Sequence, residues 1–155
     1  MLVVSNSSPL IAFAAIGQLN LFPAVFQSIF IPPAVALEIA PSIPTLLPWL
    51  RIERLKQPLP AAVLRRSLGD GERETLALAV EIQAERVLLD DLPARRVARR
   101  LNLPVTGTAG VLLVAKRHGL MPRIRPHLDA LVKESFFVGS ELYDELLRLA
   151  GEQDT

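Results

Sequence analysis

Four carboxylates stand in unusual places along this chain. Glu38 is the single charged side chain in the first fifty residues. It falls near the C-terminus of an expected helix, where the dipole mildly disfavours negative charge. Glu74 enters a stretch, Leu76 to Val80, that is apolar without interruption, so its helix is expected to be buried nearly all round. Asp90 and Asp91 close Val87-Leu88-Leu89, which reads as a buried strand between helices. Open α/β sheets bind ligands at the carboxyl ends of their strands, so two acids there already suggest a site. Carboxylates brought together repel and need a proton or a cation. The chain has no cysteine and two histidines, His118 and His127, which argues against a thiolate or zinc-histidine centre. With oxygen ligands alone, the natural cation is Mg²⁺ or Mn²⁺. Such an ion activates water and offsets the charge that builds on a phosphate during transfer. Beyond Asp91 come Arg95, Arg96, Arg99 and Arg100 on one side of a helix, a surface suited to phosphate.

These acids need a scaffold, and the composition bounds it. With 155 residues, the chain is long enough for one α/β domain and too short for two ordinary ones. We expect a single domain over residues 1–151, with 152–155 as a short tail. Half the residues are hydrophobic and only 5% aromatic, so the core is aliphatic. The net charge of +1 leaves nucleic-acid binding to local patches. All seventeen Lys and Arg lie from Arg51 onward. No apolar run reaches the roughly 18 residues of a membrane span, and no basic segment opens the chain. The expected location is therefore cytoplasmic. An N-terminal third this apolar is expected to present surface to a second copy or a partner.

Period and punctuation place the elements. Leu2-Val3-Val4 reads as a strand, and Ser8-Pro9 as the cap and first residue of a helix over 9–16 that Gly17 stops. A helix over 21–27, the strand Ile29-Phe30-Ile31 and a helix over 33–40 follow. Residues 41–50 read as a loop, 49–55 as an edge strand or extended connection, and 60–67 as a short helix. After the central helix and the strand 86–89 come a helix over 92–101, a strand at Pro104-Val105 and a helix over 109–117. A helix over 125–133, a strand at Phe136-Phe137-Val138 and a helix to about 150 capped by Ser140 complete the chain. The β–α alternation implies right-handed crossovers and a mainly parallel sheet. The junctions Ser5-Asn6-Ser7-Ser8, Asp90-Asp91 and Thr106-Gly107-Thr108 would then gather polar oxygens at one sheet edge.

Five pieces in order, VVSNSSPLIAFAAIGQLNLF, IPPAVALEI, GDGERETLALA, LLDDLPARRVARRLNLPVTGTAGVLLVAKRHGL and FFVGSELYDELL, resemble the PIN domain. The resemblance is to a VapC-like branch of small prokaryotic PIN proteins associated with toxin–antitoxin modules. It covers about residues 2–150 and implies a three-layer α/β/α sandwich and a metal-dependent endoribonuclease. It matches the first acidic position of the family to Asn6, with Ser8 as the accompanying hydroxyl, and the second to Glu38. The third falls on Glu74 rather than Glu72, and the fourth on Asp91, with Asp90 as the alternative ligand one residue away. Asn6 departs from the usual aspartate: it keeps an oxygen donor without a charge. The resemblance further implies Mg²⁺ or Mn²⁺, an RNA substrate contacted by Ser8, Arg95, Arg96, Arg99, Thr106 and Thr108, a small antitoxin and a homodimer.

Each residue alone has a plainer reading. Asp91 before Leu92-Pro93 is a helix N-cap, and Glu74 is a dipole-favoured acid of a first turn. Glu38 is a surface residue or pairs with an arginine. Asn6, Ser8, Thr106 and Thr108 are turn and cap residues, the arginines a solvated face, and the histidines surface or C-cap residues. Two further functions compete with the nuclease. One is a catalytically degenerate fold that binds RNA or protein, favoured by Asn6. The other is a phospho-receiver domain, disfavoured because its acidic pair follows the first strand.

Overall fold

The structure is a computed structural model and describes residues 1–43, 47–136 and 138–153. Five strands carry the expected alternation: β1 Val3–Ser5, β2 Ile29–Ile31, β3 Leu50–Ile52, β4 Arg86–Leu88 and β5 Val105–Thr106. Between and after them run α1 Ser7–Ala15, α2 Leu21–Phe26, α3 Pro33–Ile39, α4 Asp70–Glu81, α5 Leu92–Arg100, α6 Thr108–Arg117, α7 Arg125–Lys133 and α8 Ser140–Leu149. The strands form one sheet in the order β3-β2-β1-β4-β5. Every neighbouring pair is parallel, with Val4 opposite both Phe30 and Val87.

Alternation along each strand divides the interior into two layers. Val3, Ile29, Ile31 and Leu88 face one cluster, which Leu10 and Phe13 of α1, Phe22 of α2, Val35 of α3 and residues of α6 to α8 complete. Val4, Val87 and Leu89 face the other, built from α4, α5 and Val63. The result is a three-layer α/β/α sandwich. Phe13 meets Phe22 edge-on at 5.0 Å, and Trp49 stacks on Phe22 at 6.0 Å. The central strand β1 is buried on both faces; α4 packs against it, and side chains of α1 and α2 share the cluster on its other face. The apolar N-terminal third is thereby largely consumed by its own core; among its large apolar side chains Met1, Leu2 and Leu37 stay exposed. Among the described residues no helix is long and apolar enough to cross a membrane.

Several expectations change in detail. Helix α1 starts at Ser7 with Asn6 in the N-cap position, not at Pro9 behind a Ser8 cap. The reason is the sheet: the Asn6 N–H donates to the Leu88 carbonyl at 2.9 Å and prolongs the ladder by one residue. Gly139, not Ser140, is the N-cap of α8. Residues 60–67 hold only a 3₁₀ turn, Ala61–Val63. Val80 is exposed, so α4 is not buried all round. Phe136 and Val138 lie outside any strand, and Phe137 falls outside the described residues.

Glu152, the first residue of the expected tail, is anchored in the fold. Its carboxylate is only 6% exposed and lies 3.0 Å from the Lys116 ammonium. It also accepts the N–H groups of Ile124 at 2.8 Å and Arg125 at 3.2 Å, filling donors at the start of α7 that have no partner within the helix. Burial opposes its charge. The Ile124 N–H, the Lys116 ammonium and the Arg125 N–H outweigh that and hold the carboxyl below the ordinary glutamate range. A depressed folded pKa means stability present above the unfolded value, about 4.3, and lost as pH falls through the folded one. Glu152→Gln is expected to destabilise by about 1–3 kcal/mol at neutral pH. Thermal melting should show the gap between wild type and variant closing as the pH is lowered toward 3.

Candidate active site

Strands β1, β2, β4 and β5 each hand the chain to a helix at the carboxyl edge of the sheet, and the expected residues meet there in three groups. The first joins α3 and α4. The Ser7 hydroxyl, at the start of α1, donates to Glu38 Oε2 at 2.8 Å. The other oxygen of Glu38 lies over the first turn of α4, where a Cβ on Gly71 would overlap it. In return Glu74 Oε1 accepts the Ala34 N–H at 3.1 Å. That N–H is in the first turn of α3, whose N-cap, Pro32, has no side-chain acceptor. The two helices therefore run antiparallel, and each presents a glutamate to the other's positive end.

The second group sits where β4 ends. Asp91 is the N-cap of α5, its Oδ2 accepting the Ala94 N–H at 3.0 Å, as its plainer reading requires. Asp90 points instead to α6. Its Oδ1 accepts the Thr108 N–H at 2.7 Å and its Oδ2 the Thr108 hydroxyl. The two neighbours thus differ: Asp90 has both oxygens bonded to Thr108, whereas Asp91 keeps one without a hydrogen bond among the described residues. Glu38 and Glu74 likewise keep one each. Glu72, the alternative to Glu74, folds back so that its Oε2 lies 2.8 Å from where a Cβ of Gly69, its own N-cap, would sit.

The third group is basic. Arg95 Nη1 and Asp90 Oδ1 both lie 3.0 Å from where a Cβ of Gly107 would sit, and the buried Arg95 Nε has no hydrogen-bond partner. Arg95 is the arginine of α5 that lies near Asp90, around Gly107. Arg96, Arg99 and Arg100 are exposed; Arg99 and Arg100 are in the last turn, where they complement the dipole. Thr106 accepts a hydrogen bond from Arg86, so neither threonine hydroxyl, expected to meet RNA, stands unengaged. Ser8 is exposed. His118 is the exposed C-cap of α6. Ser7 and Gly71 were not singled out from sequence. Ser7 lay in a run of four interchangeable polar residues, but a glycine inside the first turn of a helix was a readable signal, since glycine is a poor helix former.

Asn6 completes the site. It is 5% exposed, at the end of the central strand, and its Oδ1 is buried without a partner. Among the described residues no three Asp, Glu, His or Cys side chains converge closely enough to hold a metal ion by themselves. Mg²⁺ does not require that: it keeps several waters and takes one or two carboxylates plus substrate phosphates. An unpartnered buried oxygen on the sheet edge that also carries these carboxylates fits such an ion in donor chemistry.

A parallel sheet between two helical layers, with acids along its carboxyl edge, makes an α/β/α sandwich with a polar cleft side. A family model of the PIN domain matches residues 2–152, and the chain belongs to that family, whose members are generally nucleases. None of the curated proteins is significantly similar to it.

The Asp90–Thr108 pair joins β4 to α6 and is tested apart from any activity. Thr108→Val removes the hydroxyl and leaves a charged oxygen short of a donor. A loss of about 1–3 kcal/mol in urea unfolding is expected, with Thr108→Ser retaining most of the stability.

Proposed function

We propose that the protein is a divalent-metal-dependent endoribonuclease. One observation carries the reading: Glu38, Glu74 and Asp91 are each hydrogen-bonded through one carboxylate oxygen and leave the other without a hydrogen bond among the described residues, at the edge where Asn6 Oδ1 is buried and unpartnered. Asn6, Glu38, Glu74 and Asp91 are the donors offered to Mg²⁺ or Mn²⁺, one or two of the carboxylates contacting the ion and the rest acting through its waters. Asp90 is assigned to the scaffold rather than the ion, because Thr108 occupies both its oxygens. When bound, the ion lowers the pKa of water and offsets charge on the scissile phosphate. The carboxylates, already tied at one oxygen, keep their orientation without rearranging. Arg95, near Asp90, positions a phosphate and carries no sequence information directly. By resemblance to the family, hydrolysis leaves 5′-phosphate and 3′-hydroxyl ends.

The toxin role, with a small antitoxin over the cleft and a homodimer, is supported by the resemblance to VapC-like proteins. Leu37 and Leu92 stand 79% and 66% exposed beside Glu38 and Asp91 in sequence, and would give a covering partner apolar contacts.

A second reading, a degenerate PIN fold that binds without cutting, is favoured by the missing charge at Asn6. Purified protein is expected to cleave single-stranded RNA with Mn²⁺ and to stop on chelation. Glu74→Gln keeps an acceptor for the Ala34 N–H and should lower the rate at least a hundredfold while leaving Tm nearly unchanged. Cleavage indifferent to chelator and to Glu74→Gln would eliminate the metal mechanism. No cleavage and no Mn²⁺-induced rise in Tm would leave the binding module.

A further inference from the structure

Glu38 carries a contradiction. It is an exposed residue near the C-terminus of its own short helix, a place where a glutamate ordinarily samples many rotamers and the dipole works against it. Yet its carboxylate is bracketed. On one side is the hydroxyl of Ser7, 5% exposed, at 2.8 Å. On the other is the backbone of Gly71, the second residue of α4, with no room for a Cβ between them.

The glycine is informative because backbone conformation does not call for it. The positive-φ glycines are Gly17, Gly119 and Gly151, whereas Gly71 lies within a regular helix. A helical position that any residue can adopt is held by a poor helix former. What the glycine provides is space, and Glu38 Oε1 fills it.

We propose that Ser7 and Gly71 are positioning residues for Glu38. Ser7 fixes one carboxylate oxygen by donating to it. Gly71 admits the other against the positive end of α4, where twelve residues of aligned peptide dipoles favour the charge. Neither touches the reacting atoms. Together they select one rotamer of an otherwise mobile acid. The inference rests on the reading of Glu38 as a cation ligand. It assigns to Gly71 a loss of intrinsic helix stability in exchange for a fixed ligand.

Mn²⁺ titration by calorimetry, thermal melting of the metal-free protein, and crystal structures of the variants test it. Gly71→Ala should weaken Mn²⁺ binding about tenfold or more, the range for groups that orient metal ligands, while Tm stays level or rises. Its crystal structure should show the Glu38 carboxylate displaced from Ser7. Ser7→Ala should weaken Mn²⁺ binding similarly, and Ser7→Thr, which keeps the hydroxyl, should restore it. Variants that bind Mn²⁺ as wild type does, or a Glu38 carboxylate still against Ser7 in Gly71→Ala, would overturn the assignment and leave the ribonuclease reading standing. Wild type that binds no Mn²⁺ would instead overturn the ribonuclease reading, and this inference with it.

Discussion

The site depends on the antiparallel crossing of α3 and α4, with Glu74 bonded to the first turn of α3 and Glu38 laid on the first turn of α4. Helix starts carry N–H groups that have no partner within the helix. Here Pro32 and Gly69, the two N-caps, make no side-chain cap. For α3 the need is met in part from outside, by Glu74; at the start of α4 the carboxylates of Glu38 and Glu72 lie against Gly71 and Gly69. These contacts bring two carboxylates, distant in sequence, to the sheet edge. Each glutamate has one oxygen hydrogen-bonded to a neighbouring segment.

The parallel sheet supplies the frame. Short strands of two or three residues, the central ones buried on both faces, can be stable only between two helical layers, and every crossover then returns its helix start to the same edge. That is why Asn6, Asp91 and Thr108, separated by up to a hundred residues, stand at one border. The parallel register also explains the apolar N-terminal third. It builds the central strand and the helices over it, the most enclosed part of the molecule.

Charge at that border is graded rather than pooled. Asp90 has both oxygens bonded to Thr108 and serves the junction between β4 and α6. Asp91 caps α5 through one oxygen, and Glu38 and Glu74 are tied in the same half-engaged way. Arg95 lies close to Asp90 around Gly107, whereas the later arginines of α5 follow the helix away from the acids. A carboxylate with one oxygen anchored is oriented without being neutralised. That condition suits a cation which must also leave positions for water and substrate.

Most of the architecture was legible from pattern. Buried runs, β-branched triplets and Pro or Gly punctuation located nearly every element, and the motif order pointed to the PIN fold. The candidate acids could be singled out too, because Glu38 without charged neighbours and an acidic pair at a strand end are anomalies visible in one dimension. What sequence left open was partnership. In Ser5-Asn6-Ser7-Ser8 any residue can cap a helix, and only the ladder bond to Leu88 decides that Asn6 ends the strand and Ser7 begins the helix. Asp90 and Asp91 are chemically identical, and only their opposite directions, one toward α6 and one into α5, divide their roles. Gly71 in a first helical turn is an anomaly the sequence shows, but what occupies the space beside it is known only once Glu38 lies there. Local propensity and periodicity are properties of neighbouring residues, so the sequence by itself determined the elements and their order. Hydrogen-bond partners and the space beside a backbone are set by segments far apart in the chain, and those only the tertiary structure decided.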